Sequence, residues 1–121
     1  MKTILIVDDI DILRRYIVRY LQRFGFTVFQ AKSLQQAIDI TNEQQIDVVI
    51  TDYDLDDPQG TGMNLVRLLK ASGHDYKIAI MSSYIEPVES FAIEMGIRYI
   101  QKDSSSNVGS NILQFCQNDA G

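Results

Sequence analysis

The chain has 121 residues, 45% of them hydrophobic, and its 16 acidic against 11 basic side chains give a net charge of −5. That length suits one domain, residues 1–121, with a single core, and the acidity argues against a phosphate-neutralising nucleic-acid surface. The lone Cys116 excludes an internal disulfide, while Met1-Lys2-Thr3 leads into only four strongly apolar residues before two aspartates. Neither a signal-peptide core nor a membrane span is legible, so a cytoplasmic location without membrane partners is expected.

Thr3 to Val7 is a short, continuously apolar run that reads as a strand. Ile10, Leu13, Ile17, Leu21 and Phe24 then recur at helical spacing, and Gly25 ends the helix. Phe26 to Ala31 is the second strand; Ser33 and Gln36 have capping-box spacing ahead of a stripe of Leu34, Ala37, Ile38 and Thr41. Ile46 to Thr51 is the third strand, followed by a loop from Asp52 to Gly62 rich in Asp, Pro and Gly. Met63, Leu65, Val66 and Leu69 face inward on the third helix, which Gly73 stops. Lys77 to Met81 is the fourth strand, and Pro87 suits the first turn of a helix burying Val88, Phe91, Ala92 and Met95 up to Gly96. Arg98 to Gln101 is the fifth strand, the polar run Ser104-Ser105-Ser106-Asn107 is a loop and cap, and the last helix buries Val108, Ile112, Leu113 and Cys116.

Strands this apolar need cover on both faces, and a helix separates each from the next. The economical solution is a doubly wound α/β fold, a five-stranded parallel sheet in the order 2-1-3-4-5 with helices on both sides. Ligands of such sheets sit beyond the carboxyl ends of the strands where the order reverses. Strands one and three flank that point and end in Asp8-Asp9 and Asp52. Like charges at close range raise one another's pKa, so the cluster calls for a divalent cation; all-oxygen ligation with room for phosphate oxygens is the habit of Mg²⁺. Ser82-Ser83 after strand four and Lys102 after strand five bring a hydroxyl and an ammonium to the same rim. A carboxylate beside a metal ion can attack phosphorus while the hydroxyl and lysine stabilise the equatorial oxygens.

Asp8-Asp9, Asp52, Ser82, Tyr99 and Lys102 together resemble the signature of the receiver domains of bacterial two-component response regulators, over essentially the whole chain. The resemblance implies a flavodoxin-like fold and a signalling role rather than an enzymatic one. It implies that Asp52 accepts a phosphoryl group from a histidine kinase or histidine phosphotransfer protein. Asp9 and Asp52 would bind Mg²⁺ with the backbone carbonyl of Asp54, Asp8 acting directly or through water. Ser82 would move toward the phosphoryl group, Lys102 would pair with it, and Tyr99 would swing inward. That motion would alter the surface of helix four, strand five and helix five, offered to a downstream effector or to a second copy in a homodimer.

The chain departs from that pattern in four places. Asp103 stands where the family has a proline after the lysine, Ser82 replaces threonine, the loop after Asp52 is about two residues longer, and the stretch from Ser82 to Lys102 is about two shorter. Tyr84, two residues beyond Ser82, is bulky enough to shield an acyl phosphate and predicts slow autodephosphorylation. Two alternatives explain some of the same residues. One is a receiver-like interaction module that is never phosphorylated. The other is a haloacid-dehalogenase-type phosphatase, whose first motif the run Val48 to Asp54 resembles, although that leaves Asp8-Asp9 unexplained. Asp54, Asp56 and Asp57 read as solvated loop acids apart from the Asp54 carbonyl, His74 as a surface residue and Cys116 as inert core.

Overall fold

A computed structural model describes residues 2–102 and 107–118. Strand and helix alternate as β1 (Thr3–Val7), α1 (Asp11–Arg23), β2 (Thr27–Ala31), α2 (Leu34–Glu43), β3 (Val48–Asp52), α3 (Gly62–Ala71), β4 (Lys77–Ser82), α4 (Val88–Met95), β5 (Arg98–Gln101) and α5 (Asn107–Gln117). The strands form one parallel sheet in the order β2-β1-β3-β4-β5, the order expected from the sequence.

Side chains alternate across a strand, which divides the core in two. Leu5, Val7, Val49, Ile78 and Ile80 face α2, α3 and α4, packing with Leu34, Ala37, Leu65, Val66, Val88 and Phe91. Ile4, Ile6, Val48, Ile50, Ala79 and Met81 face α1 and α5, against Ile17, Leu21, Ile112 and Cys116. Truncating one such buried leucine or isoleucine to alanine costs about 2–5 kcal/mol. Gly109 permits the close approach of α5 to α1, since a Cβ there would lie 3.1 Å from the Tyr16 hydroxyl.

The periodic reading overreaches at the helix ends. Ile10 and Phe24 were expected on the buried face of α1, yet both are about half exposed. They occupy the N-cap and C-cap, where the 100° rotation per residue no longer applies, and Arg14 and Val18 complete the buried face instead. On α5, Phe115 is buried while Leu113 is only half-buried. Pro87 is the N-cap of α4, so the helix starts one residue later than expected. At eight residues α4 is the shortest helix among the described residues. Asp103 and the run Ser104-Ser105-Ser106 lie outside the described residues.

Candidate functional site

Register alone brings the acids together. Val7 pairs with Thr51 across β1 and β3, so the next residues, Asp8 and Asp52, emerge side by side at the carboxyl edge of the sheet. One carboxylate oxygen from each of Asp8, Asp9 and Asp52 lies within 4.8 Å of the others, a group able to hold a cation. Asp8 and Asp52 are buried and Asp9 is half-buried. On the other side, Asp52 pairs with Met81, and Ser82 with Gln101, which brings Lys102 to the same edge. The Lys102 backbone amide donates to Ser82 O at 2.8 Å. Its ammonium lies 3.1 Å from Asp8 Oδ2 and 3.2 Å from Asp52 Oδ2.

One buried lysine is a poor match for three carboxylates. Burial is the main force raising the Asp52 carboxyl to about 7; Lys102 opposes it, while Asp8 and Asp9 add to it. Burial works to lower the Lys102 pKa, but the charges of Asp52 and Asp8 outweigh it, and the ammonium is held above its ordinary value. The group therefore keeps its cation at neutral pH and retains unbalanced negative charge. A further positive ion is the natural complement.

Local contacts hold this arrangement. Asp8 Oδ1 accepts the Ile10 amide at 2.9 Å, closing a turn into α1, and the Asp8 amide donates to Ala31 O at 3.0 Å. Asp9 Oδ2 accepts the Asp56 amide at 2.9 Å, so the β3–α3 loop lies against it. Ser82 is buried, and its hydroxyl oxygen accepts the Tyr84 amide at 2.9 Å. The Tyr99 hydroxyl donates to Tyr84 O at 2.8 Å and lies 3.5 Å from Ser82 O, coupling β5 to the same β4–α4 segment. The Asp54 side chain is exposed, as is His74, whose ring sits 5.6 Å from that of Tyr76, remote from the acids in the chain. Cys116 is buried in the α1/α5 layer, and burial pushes its thiol up to about 12, as an inert core residue requires.

Three contributors escaped the sequence reading. Arg14 is buried and donates from Nη1 to Asp8 O at 3.0 Å and from Nε to Gln30 Oε1 at 2.8 Å, bracing the backbone of the acidic pair. The signal for it was a charge on the apolar face of α1. Gly62 packs so tightly against the end of β3 that a Cβ would lie 1.9 Å from Asp52 O. Asp57, expected to be a solvated loop acid, is half-buried and accepts the Leu34 amide at 2.7 Å and the Gln59 amide at 2.8 Å. Its partner at Leu34 is 23 residues away, a pairing that spacing does not reveal.

The comparisons with known proteins agree with this geometry. The family model for the response regulator receiver domain matches residues 4–113. The sensor kinase CckA of Brucella abortus is 36% identical over 86 residues, covering 69% of this chain and 9% of the kinase. Sporulation initiation phosphotransferase F of Bacillus subtilis is 30% identical over 83 residues, 69% of this chain and 65% of that protein. The chain thus spans less than two thirds of either relative. Among solved structures, a Burkholderia pseudomallei response regulator with a phosphorylated aspartic acid, calcium ion and citrate superposes with a TM-score of 0.82 at 23% identity, covering 99% of this chain and 69% of that one. The response regulator TrrA of Thermotoga maritima, in complex with Mg²⁺-BeF, gives 0.80 at 22%, covering 95% and 99%. At these identities the structural likeness carries the fold, and the match of the family model over most of the sequence carries the membership. The chain is a response regulator receiver domain, a member of the family whose signature its strand tips resemble.

Proposed function

We propose that Asp52 accepts a phosphoryl group from the phosphohistidine of a histidine kinase or histidine phosphotransfer protein, in a Mg²⁺-dependent reaction, and that the chain signals by the conformational change that follows. An Asp52 carboxylate oxygen forms the new P–O bond, the P–N bond of the donor breaks, the imidazole leaves with the electron pair, and an acyl phosphate results. The observation that carries this reading is the convergence of Asp8, Asp9 and Asp52 with Lys102 on one edge of the sheet.

The donor set, clustered hard oxygens with too little positive charge, fits Mg²⁺. Asp9, Asp52 and the backbone carbonyl of Asp54 would hold the ion, with Asp8 bound directly or through water. When bound, Mg²⁺ neutralises the ligand carboxylates and the oxygens of the transferring group. Lys102 already contacts Asp52 and needs only a small shift to pair with a phosphoryl oxygen. The Ser82 oxygen accepts the Tyr84 amide, so its own proton is available to a phosphoryl oxygen. Movement of Ser82 would carry the Ser82 and Tyr84 carbonyls to which Tyr99 is tied, which supplies a route to the α4-β5-α5 face. Exposed Ile93 and Tyr84 lie on or beside α4 and suit contact with a downstream effector or a second copy.

We read residues 1–121 as one domain that works by stoichiometric phosphorylation rather than turnover. None of the described helices is long and apolar enough to cross a membrane, and we assign the domain to the cytoplasm. The test is intact-mass measurement after incubation with a small phosphodonor and Mg²⁺. Wild type gains one phosphoryl group and Asp52→Asn gains none. Absence of an adduct on wild type selects the unphosphorylated module, and steady hydrolysis of phosphate esters selects the phosphatase.

A further inference from the structure

The β3–α3 loop, residues 53–61, must leave the tip of β3, cross Asp9 and return so that Gly62 abuts the Asp52 carbonyl. A loop has conformational freedom to lose, and one that supplies metal-site contacts must be held by something. Within it, Leu55 is buried and Asp56 donates its amide to Asp9 Oδ2. The Tyr53 amide donates to Met81 O at 2.8 Å where the loop leaves β3, and in its middle the tie to another element is Asp57. One of its carboxylate oxygens accepts the Leu34 amide at 2.7 Å, and the other accepts the Gln59 amide within the loop at 2.8 Å.

Leu34 opens α2, and its N–H is one of the first-turn amides that have no acceptor within their own helix. The Ser33 hydroxyl, the N-cap of α2, serves a different donor, the Gln36 amide. Asp57 therefore supplies a second cap from across the sheet edge, favoured by the positive end of the helix dipole. It ties the start of α2 to the residue next to Asp56, which itself touches Asp9.

Resting on the metal-site reading above, we infer that Asp57 is a positioning residue for Mg²⁺ binding. By strapping the long loop to the first turn of α2, it sets the path that holds the Asp56 amide against Asp9 and orients the Asp54 carbonyl. It touches neither metal nor phosphoryl group.

The experiment is Mg²⁺ titration by calorimetry, paired with thermal melts of the metal-free proteins. Asp57→Ala weakens Mg²⁺ binding by about tenfold or more, the range found when groups that orient metal ligands are removed. Asp57→Asn, which keeps one good acceptor oxygen, falls between it and wild type. Ser33→Ala removes the other α2 cap and lowers the melting temperature while leaving Mg²⁺ affinity unchanged. That split separates positioning from mere stability, and should Asp57→Ala fail to fold, Asp57→Asn decides. Wild-type affinity in the folded Asp57 variants overturns the inference. Absence of Mg²⁺ binding by wild type, or retention of binding by Asp9→Asn, instead overturns the metal site itself.

Discussion

Asp52→Asn tests the electrostatics of the site without any phosphodonor. In the metal-free protein the Asp52 carboxyl is raised from 3.8 to about 7, so the native state binds its proton more tightly than the unfolded chain does. Stability from this group is then fully present below 3.8 and is lost as pH rises through about 7. At 1.4 kcal/mol per pKa unit the charged form is disfavoured by about 4 kcal/mol, and water at the open strand tips screens this to about 2 kcal/mol. Asparagine is nearly isosteric, cannot ionise, and leaves Lys102 paired with Asp8. In chelator at about pH 8.5 the variant should exceed wild type by about 2 kcal/mol, and at about pH 3.5 the two should agree. Mg²⁺ should reverse the order, because at 100 times its dissociation constant a ligand bound only by the native state adds about 2.7 kcal/mol. Urea denaturation followed by circular dichroism, at several pH values with and without Mg²⁺, reads all of this. Curves that coincide across the whole pH range without metal, or equal stabilisation of both proteins by Mg²⁺, would refute the reasoning.

Lys102→Ala leaves Asp8 and Asp52 facing each other without their cation, and should cost about 3 kcal/mol in urea denaturation at neutral pH without metal, with part of the loss recovered on adding Mg²⁺. Gly62→Ala places a methyl 1.9 Å from the Asp52 carbonyl, so the loop or the strand tip must move; we expect at least about 3 kcal/mol of destabilisation and no phosphoryl adduct by intact mass. Tyr84→Ala removes the bulky side chain of a residue that is 60% exposed and whose amide donates to the Ser82 hydroxyl, and loss of label from the phosphorylated protein should accelerate. An unchanged rate would show that Tyr84 does not shield the acyl phosphate.

Much of this molecule is written locally in its chain. Apolar runs such as Ile4 to Val7 and Val48 to Ile50, separated by helical stripes and glycine stops, imply a covered parallel sheet because hydrophobic burial and the right-handed crossover leave few other arrangements. Once strands one and three are neighbours, Asp8 and Asp52 must emerge together, since Asp8 directly follows its strand and Asp52 ends its own. The sequence could therefore nominate the acids, Ser82 and Lys102 from position alone.

What it could not determine were contacts that depend on how distant segments settle against one another. Ile10 and Phe24 fit the helical period but fall on the caps, and the buried charge of Arg14, beside its local partner Asp11, reaches Asp8 O and Gln30 only after β1, β2 and α1 have packed. Asp57 looked like one more solvated acid until the loop folded back onto the first turn of α2. Periodicity reports which face of an element meets the core. Hydrogen-bond partners across 20 or more residues are selected by loop paths, and those are decided only when the tertiary structure brings the donors and acceptors within reach.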